Sequence, residues 1–371
     1  MGVASIRAAQ ECCRAVMGLC VMNQKSSVSP STPSDYPSSY RRVVLASRPS
    51  GKPAVGNFAL EQVQAVPLAD GQLRVINKYL SIDPYMLGRM YESRSYAPSQ
   101  PLGEAMVGET VGRVVESRHS GFTAGEYVVG PLGWQEQSIS DGSELRRVDP
   151  QQAPLSAYLG ALGMTGITAW YGMTQICRPE PGSTVAVSAA AGAVGGVAVQ
   201  LAKERGCRVV GIAGGAHKCR YVTEFLGADA CVDYKQADSI AALNDALSKY
   251  APDGFDACFD NVNGWVLDAI LPLMNCFGRI ALCGMIGRYG EAENHLAAYG
   301  YLLLSRLMAQ GFIVRDHMDL WPQAVDELTR MLQQGQLRYR ESIADGIAAA
   351  PAACIGLLSG QNVGKQLVKL N

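Results

Sequence analysis

The sequence lacks the residues from which a metal site is usually built. Its 371 residues include only four histidines, and none of them is spaced with cysteine or glutamate as in common ligand sets. Eleven cysteines are scattered along the chain without any CxxC pair. In a chain of this length, that scatter indicates reduced and mostly buried thiols rather than a disulfide framework or a structural zinc site.

The sequence also lacks an excess of charge and a long apolar run. Lysine and arginine number 32 against 33 acidic residues, which gives no electrostatic reason to expect nucleic acid or an anionic membrane as a partner. No apolar run reaches the roughly 18 residues that span a bilayer. We therefore expect a cytoplasmic protein, and the length with 48% hydrophobic residues predicts two domains.

Residues 1–40 do not resemble a folded domain. Residues 1–22 contain a short apolar patch with two arginines, but Glu11 interrupts it, which argues against a secretory signal. An alternative start of translation at Met22 stays open. Residues 26–39 are rich in serine and proline, so the whole segment is predicted to be a disordered N-terminal extension.

Beyond residue 40, the hydrophobic pattern of the chain changes from β-like to alternating strands and helices, and it becomes β-like again at the end. Up to about residue 150, short β-like segments such as RRVVLAS and VGRVVES are separated by glycine, proline and aspartate turns. Beyond it, apolar strands such as TVAVSA alternate with helix-length amphipathic stretches, which is typical of a parallel sheet covered on both faces. The final KQLVKL fits the first sheet better. We predict an α/β protein with a β-rich domain at 41–161 and 340–371 and a doubly wound domain at 162–339.

The strongest motif is SAAAGAVGGVAVQLAK, residues 188–203. It follows the apolar strand TVAV and opens a helix, and a second strand at 208–213 completes a βαβ unit. Gly192 is expected to make the tight turn, and Gly195 to let backbone N–H groups approach a pyrophosphate at the helix N-terminus. Dinucleotide binding is the favoured interpretation, and glycines that serve only helix–strand packing are the alternative.

One acid is missing where NAD-binding units usually carry it. An aspartate or glutamate about 20 residues beyond the glycines accepts hydrogen bonds from the ribose 2′-OH, but residues 212–216 contain none. Lys218 and Arg220 follow, and a cation there can pair with a 2′-phosphate. Tyr234 can place its hydroxyl at the same phosphate. These residues favour NADP(H), while a solvated Lys218 and a half-buried Tyr234 at a strand end are the structural alternatives.

Seven segments of the chain, taken in order, are similar to one family. They resemble motifs of the zinc-free, NADPH-dependent medium-chain reductases, which include prostaglandin reductase (leukotriene B4 12-hydroxydehydrogenase), plant 2-alkenal reductases and bacterial curcumin reductase. The resemblance covers about residues 41–371, and the curcumin-reductase branch is nearest. The segments are LSIDPYMLGRM, SISDG, LGMTGITAWYG, AAAGAVGG, CFDNVNG, GRIALCGMI and NVGKQLVKL.

The resemblance implies a GroES-like domain, a Rossmann domain, an active site in the cleft between them and a homodimer. It also implies a cofactor site. In that site Gly192, Ala193, Val194 and Gly195 hold the pyrophosphate, and Lys218 and Tyr234 hold the 2′-phosphate. The remaining residues implied to line or close over the cofactor are Asn261, Cys283, Gly284, Met285, Tyr289, Phe312, Ile313, Val314 and Asn362.

The residues of a catalytic zinc site are absent by the same comparison. The ligand motif GHE of zinc alcohol dehydrogenases falls on Val107, Gly108 and Glu109, so glycine stands in place of the ligand histidine. Without a Lewis acid, a conjugated alkene is the better substrate, because hydride addition to its β-carbon moves charge to an oxygen that hydrogen-bond donors can stabilise. We therefore predict an enone or alkenal C=C reductase.

The candidate donors to that oxygen are the hydroxyl of Tyr85, in DPYM, and the cofactor's own ribose hydroxyl, and Tyr85 or water would protonate the α-carbon. A packed aromatic beside Pro84 is the alternative interpretation of Tyr85. Several relatives carry a tyrosine for this purpose where the present chain has Leu304. Two other functions stay open: an NADPH:quinone oxidoreductase, and a non-catalytic NADPH-binding sensor on the same fold.

Overall fold

The computed structural model describes residues 36–286 and 296–370, and every structural statement below concerns these residues. Most of the predicted N-terminal extension, and the predicted cofactor residue Tyr289, lie outside them. The first strand already begins at Ser39, inside the segment that was expected to precede the fold.

The N-terminal half forms antiparallel strands because its apolar residues alternate with polar ones. In FALEQVQ, for example, buried and more exposed positions follow each other with period two. The strands predicted there are confirmed. The elements are β1 (Ser39–Leu45), β2 (Phe58–Gln64), β3 (Leu73–Ser81), α1 (Tyr85–Gly88), β4 (Thr110–Ser117), β5 (Tyr127–Gly130), β6 (Gln137–Ser140) and β7 (Arg146–Val148).

The middle of the chain alternates helices and strands, as predicted. Its inner strands are apolar on both faces, which suits a parallel sheet packed between two layers of helices. The elements are α2 (Met164–Tyr171), β8 (Thr184–Ser188), α3 (Ala193–Glu204), β9 (Arg208–Ala213), α4 (Ala216–Arg220), β10 (Ala230–Asp233), α5 (Ile240–Ser248), β11 (Phe255–Asp260), α6 (Trp265–Ile270), β12 (Met274–Leu282), α7 (Gly300–Leu304), β13 (Met308–Gly311) and α8 (Trp321–Gln333).

Six of these strands form one parallel sheet in the order β10-β9-β8-β11-β12-β13. The chain runs outward from β8 to β10 on one side and from β11 to β13 on the other. The order therefore reverses between β8 and β11, and in open α/β sheets ligands bind outside the carboxyl ends of the strands at such a point. This is the doubly wound Rossmann arrangement.

The chain then returns to its first sheet. The last elements are β14 (Glu341–Asp345), α9 (Ala350–Leu358) and β15 (Lys365–Lys369). β15 pairs antiparallel with β3, so the GroES-like sheet, in the order β14-β15-β3-β4-β5-β7, contains the last strand of the described chain, while β1 and β2 pair with each other. The predicted return is thus confirmed. The residue boundaries of the two domains, near 161 and 340, stay a prediction.

Two further features concern the environment of the chain. None of the helices in the described ranges is both long and apolar enough to cross a membrane. The eight cysteines in those ranges are all free thiols, of which four are buried and only Cys276 is exposed.

Candidate functional site

The turn between β8 and α3 lies at the point where the strand order reverses. Gly192 caps α3 in an extended conformation (φ −86°), and the residue in the left-handed region is Ala189 (φ 46°). The tight turn is therefore made by Ala189. The sequence had suggested Gly192 for this role. Gly195 has a different role, because any Cβ there would collide with the carbonyl oxygen of Ala189. The close approach of α3 to its own turn requires this glycine.

The first turn of α3 presents backbone donors. Ala193, Val194 and Gly195 open a 12-residue helix, and N–H groups in a first turn have no carbonyl partner four residues earlier. Together with the helix dipole, such groups form an anion site. The three residues therefore stand where the predicted pyrophosphate contact requires them.

The predicted 2′-phosphate site lies at the end of β9. Lys218 is half-buried in α4, and its Nζ donates to the carbonyl oxygen of Gly360 at 2.7 Å. Burial lowers its pKa, and the charge of Lys235 lowers it further. Tyr234 and Lys235 both lie over Gly214, since a Cβ there would be 2.9 Å from the Tyr234 ring and 3.0 Å from Lys235 Cε. Two ammonium groups and a phenol thus gather at one place.

Sequence reasoning missed Lys235 although it directly follows Tyr234. The carboxylate nearest in sequence, that of Asp233, accepts the N–H of Gly215 at 2.7 Å and of Lys235 at 3.1 Å, so it holds the turns of the site. Arg220 is exposed and lies two residues beyond Lys218, which places it on the opposite side of α4. The structure therefore does not bring Arg220 together with Lys218.

A buried hydrogen-bond network holds the ends of β8 and β11. Asn261 donates through Nδ2 to the carbonyl of Ser188 at 2.7 Å, and its N–H donates to Ser188 Oγ at 2.8 Å. Ser188 Oγ in turn donates to Asp260 at 2.6 Å, and burial raises the pKa of this carboxyl group. The N–H groups of Cys283 and Gly284 both point to the carbonyl of Asp260. Three of the predicted cofactor residues are thereby fixed at one sheet edge.

The other predicted cofactor residues differ in what their side chains do. Phe312 packs its ring against Tyr171 and Phe259, with ring centroids 5.2 and 6.5 Å apart, and Val314 is also buried. The Val314 side chain belongs to the core, whereas Phe312 is partly buried and packs against that core. Met285 is 43% exposed, and Ile313 is partly buried between Phe312 and Val314.

The loop before β15 touches the glycine turn directly. Asn362 donates through Nδ2 to the carbonyl of Gly364 at 2.8 Å, and the N–H of Gly364 donates to the carbonyl of Ala191 at 2.8 Å. Gly364 also lies opposite Gly192 in a short parallel bridge. Its φ of +68° and the neighbouring carbonyl of Arg340 leave no room for a side chain. The segment that leads into the last strand, β15, is therefore hydrogen-bonded to the turn between β8 and α3.

Tyr85 begins α1 at the edge of the β-rich domain. Burial raises the pKa of its phenol well above the ordinary value, and the carboxylates of Asp83 and Glu109 raise it further. The phenol therefore keeps its proton at neutral pH and is a donor rather than a base. Leu304, which stands where several relatives are expected to have tyrosine, is 66% exposed in α7 and carries no polar atom on its side chain.

Two ion pairs surround Tyr85, and sequence reasoning found neither. Lys365 Nζ lies 2.5 Å from Asp83 Oδ1, with both side chains only 4% exposed. Arg315 donates to Glu109 Oε1 at 2.9 Å, across the boundary between the two sheets. Burial raises the pKa of Glu109, while the guanidinium of Arg315 lowers it. No signal in the sequence links these partners, which are 282 and 206 residues apart.

The positions that align with zinc ligands do not fit a metal. A Cβ at Gly108 would lie 2.8 Å from the indole of Trp134, so a larger residue has no space there. Glu109 already pairs with Arg315. Among residues 36–286 and 296–370, no group of three histidine, cysteine or acidic side chains is placed to hold a metal ion.

Comparison with known proteins agrees with this geometry. A family model described as the N-terminal domain of oxidoreductase matches residues 41–148, and one described as zinc-binding dehydrogenase matches residues 193–330. The chain is 42% identical over 337 residues to NADPH-dependent curcumin reductase of Escherichia coli, covering 89% of this chain and 96% of that protein. It is 40% identical to prostaglandin reductase 1 of Rattus norvegicus, covering 86% and 95%.

A solved structure is equally similar. The crystal structure of CurA in complex with NADPH from Vibrio vulnificus superposes with a TM-score of 0.85 at 42% identity, covering 89% of this chain and 99% of that one. The chain belongs to the medium-chain dehydrogenase/reductase family, in the branch of oxidoreductases that contains curcumin reductase and prostaglandin reductase.

Proposed function

We propose that this protein uses NADPH to reduce the C=C bond of α,β-unsaturated ketones and aldehydes, by hydride addition to the β-carbon. The observation that carries the proposal is Tyr85, a protonated phenol at the boundary of the two sheets in a chain of this reductase branch. Curcumin, the substrate in the name of the E. coli relative, is itself a conjugated ketone. The physiological substrate of this chain stays open.

The residues present fit NADP(H) as the cofactor. The first turn of α3 offers three backbone donors for the pyrophosphate, and Lys218, Lys235 and the Tyr234 hydroxyl gather where a 2′-phosphate is expected. Lysine carries three donors, so Lys218 can keep its bond to Gly360 and still bind a phosphate oxygen. When bound, the cofactor supplies the hydride.

Tyr85 supplies what the substrate needs as its carbonyl oxygen becomes negative. A neutral phenol donates a hydrogen bond to that oxygen and lowers the energy of the enolate, and one such donor contributes about 3 kcal/mol. The proton that completes the reaction then passes to the α-carbon from the Tyr85 hydroxyl or from water. Because Leu304 cannot donate, we assign this role to Tyr85 alone among the two positions.

The test is a panel of substrates assayed with NADPH by the loss of absorbance at 340 nm. The panel contains 2-alkenals, benzalacetone and curcumin, and product analysis shows whether C=C or C=O was reduced. Saturated ketones or aldehydes as products support the proposal. Turnover of quinones alone would replace it with an NADPH:quinone oxidoreductase, and tight NADPH binding without any turnover would indicate a non-catalytic sensor.

We also propose a homodimer formed through the edge of the Rossmann sheet. β13 is an outer strand whose four residues are all exposed, and unpaired edges readily accept another strand. Leu303 in the neighbouring α7 is 79% exposed, which is costly for an isolated apolar side chain. Light scattering coupled to size-exclusion chromatography gives a mass near twice 39.5 kDa if the protein is a homodimer.

The cytoplasm is the compartment we propose for this protein. Free thiols persist in reducing compartments, and all eight cysteines in the described ranges are free. Fractionation of cells that express a tagged chain checks this assignment.

A further inference from the structure

The buried ion pair between Lys365 and Asp83 stands out among the charged groups of the described chain. The two residues are each 3% exposed as a whole, and Nζ lies 2.5 Å from Oδ1. Nζ also donates to the carbonyl of Ile82 at 3.0 Å, and the other carboxylate oxygen accepts the hydroxyl of Ser81. Removing two charges from water is costly, so the pair must be closely satisfied to persist.

One end of this pair leads to Tyr85. Asp83 precedes Tyr85 by two residues, and its carbonyl oxygen accepts the N–H of Met86 at 3.2 Å. Its own N–H points to the Met86 sulfur at 3.4 Å. Asp83 is thus hydrogen-bonded at backbone and side chain, and the position of α1 follows from the position of Asp83.

Lys365, the other member of the pair, is connected to the turn between β8 and α3. Lys365 directly follows Gly364, whose N–H donates to Ala191 at 2.8 Å and which lies opposite Gly192. Asn362, two residues earlier, donates to the carbonyl of Gly364. The four residues 362–365 therefore join the proposed cofactor site to the segment that carries Tyr85, through hydrogen bonds and one ion pair.

We propose that Lys365 is a positioning residue for Tyr85. Its ion pair with Asp83 connects α1 to residues 362–365, which are hydrogen-bonded to the turn between β8 and α3. This connection sets the distance between the Tyr85 phenol and the carbonyl group of a substrate bound beside the cofactor. This inference rests on the proposed function, because it takes Tyr85 as the donor to the substrate oxygen. In this role Lys365 acts through Asp83 rather than by contact with the substrate.

The principal test compares Lys365→Met with Lys369→Met, which removes an exposed lysine from the same strand. Misplacing a donor by about 1 Å lowers a rate about 100-fold, so kcat for an enone that the wild type reduces falls by about that factor in Lys365→Met. The Kd of NADPH, measured by fluorescence titration, changes less than about 3-fold because the Rossmann contacts remain. Wild-type kcat in Lys365→Met overturns the proposal, as does an equal loss in Lys369→Met.

The single variant leaves Asp83 as a buried carboxylate without its cation, which can prevent folding. The double variant Asp83→Asn/Lys365→Met removes both charges and keeps the volumes, and circular dichroism checks its fold. The double variant still lacks the ion pair that positions Tyr85, so its kcat stays low. Recovery of the wild-type kcat shows instead that only the unpaired charge mattered, and overturns the proposal.

A cycle with Tyr85→Phe asks whether Lys365 acts through the phenol. Because both changes remove the same contribution, Lys365→Met in the Tyr85→Phe background lowers kcat by less than about 3-fold further. Losses that multiply would contradict a role exercised through Tyr85.

A last readout does not depend on turnover, so it separates this inference from the proposed function. With tyrosine labelled by ¹³C at Cζ, the Tyr85 resonance is the one lost in Tyr85→Phe. We expect that resonance to shift in Lys365→Met and to stay unchanged in Lys369→Met. An unshifted resonance in Lys365→Met contradicts the positioning role, whereas a wild type that reduces no enone contradicts only the proposed function.

Discussion

The two ends of the site are built in different ways. At the proposed adenosine end, Lys218, Tyr234 and Lys235 lie within 18 residues of one another and follow two adjacent strands. At the reaction end, the pairs Lys365–Asp83 and Arg315–Glu109 join residues that are 282 and 206 positions apart. The first end is assembled by one βαβ unit, and the second by the return of the chain and the contact between its two sheets.

The difference has a physical consequence. Side chains at the adenosine end are partly exposed, so their charges are screened and each acts mainly on the ligand. At the reaction end Asp83, Lys365 and Glu109 are buried and Arg315 is partly exposed, and each pair affects folding, the proton on Tyr85 and the arrangement of the sheets together. Substitutions at the first end should therefore change cofactor choice, and those at the second should change rate and stability.

The largest expected effect belongs to the reaction end. Tyr85→Phe removes the hydroxyl and keeps the ring, so kcat for enone reduction falls about 100-fold, which corresponds to about 2.7 kcal/mol. The KM for NADPH changes little, because the Rossmann contacts are untouched. Steady-state kinetics with NADPH and enone varied separately measures both. A wild-type kcat in Tyr85→Phe would mean that Tyr85 is only a packed aromatic side chain without a role in catalysis.

The next largest effect belongs to the adenosine end. Lys218→Ala removes a charge-assisted hydrogen bond worth about 2 kcal/mol, so the KM for NADPH rises about 30-fold. The reaction with NADH, which carries no 2′-phosphate, is expected to stay nearly unchanged. Lys249→Ala, at an exposed lysine in the same domain, is the control. Equal losses with both cofactors would break the comparison between the two ends.

A smaller effect on stability is expected from Arg315→Met. The variant leaves the Glu109 carboxylate, 8% exposed, without the guanidinium that now hydrogen-bonds it. Because Arg315 is itself 43% exposed, its contribution is reduced by solvent, and the free energy of unfolding falls by about 1–2 kcal/mol.

Urea denaturation at pH 7 measures this loss, and Arg113→Met, at an exposed arginine of β4, is the control. The loss shrinks at lower pH, where Glu109 becomes protonated and needs no cation. A loss equal to that of the control would show that the pair does not hold the two sheets.

The smallest effect concerns the pH dependence of stability. The pKa of Glu109 is raised by burial, so the folded chain binds this proton at pH values where the unfolded chain has already released it. The stabilisation is complete below the ordinary pKa of a glutamate and is lost as the pH rises through the raised value. Glu109→Gln lacks this dependence.

The wild type is therefore expected to lose stability relative to Glu109→Gln as the pH rises from 4 to 8, and melting temperatures of the two proteins measure the difference. An opposite slope would mean that the pair with Arg315 outweighs burial, which would place Glu109 in a more solvated setting than the structure shows.

Much of the fold could be predicted because it follows from local patterns. The apolar run before Gly192, the helix after it and the missing acid at the end of β9 are all visible within 30 residues. The strand-like end of the chain also indicated its return. The detail of the turn was not visible, because the left-handed conformation is carried by Ala189, a residue with no preference for it.

The reaction end could be predicted only in part. Tyr85 was suggested because the reaction needs a hydrogen-bond donor at the substrate oxygen, but nothing near DPYM indicates that Lys365 pairs with Asp83, or that Arg315 reaches Glu109. Such contacts depend on which strands become neighbours, and a lysine in a strand is normally expected to face water. The contact of the Phe312 ring with Tyr171 was not visible in the sequence either, and the predicted place of Phe312 at the cofactor stays a prediction.

The most direct test of the whole account follows the hydride itself. The wild-type protein is incubated with an enone and NADPH deuterated at both C4 positions, and the product is analysed by NMR. We predict one deuterium on the β-carbon and an intact carbonyl group. Deuterium on a newly formed carbinol carbon would contradict the account.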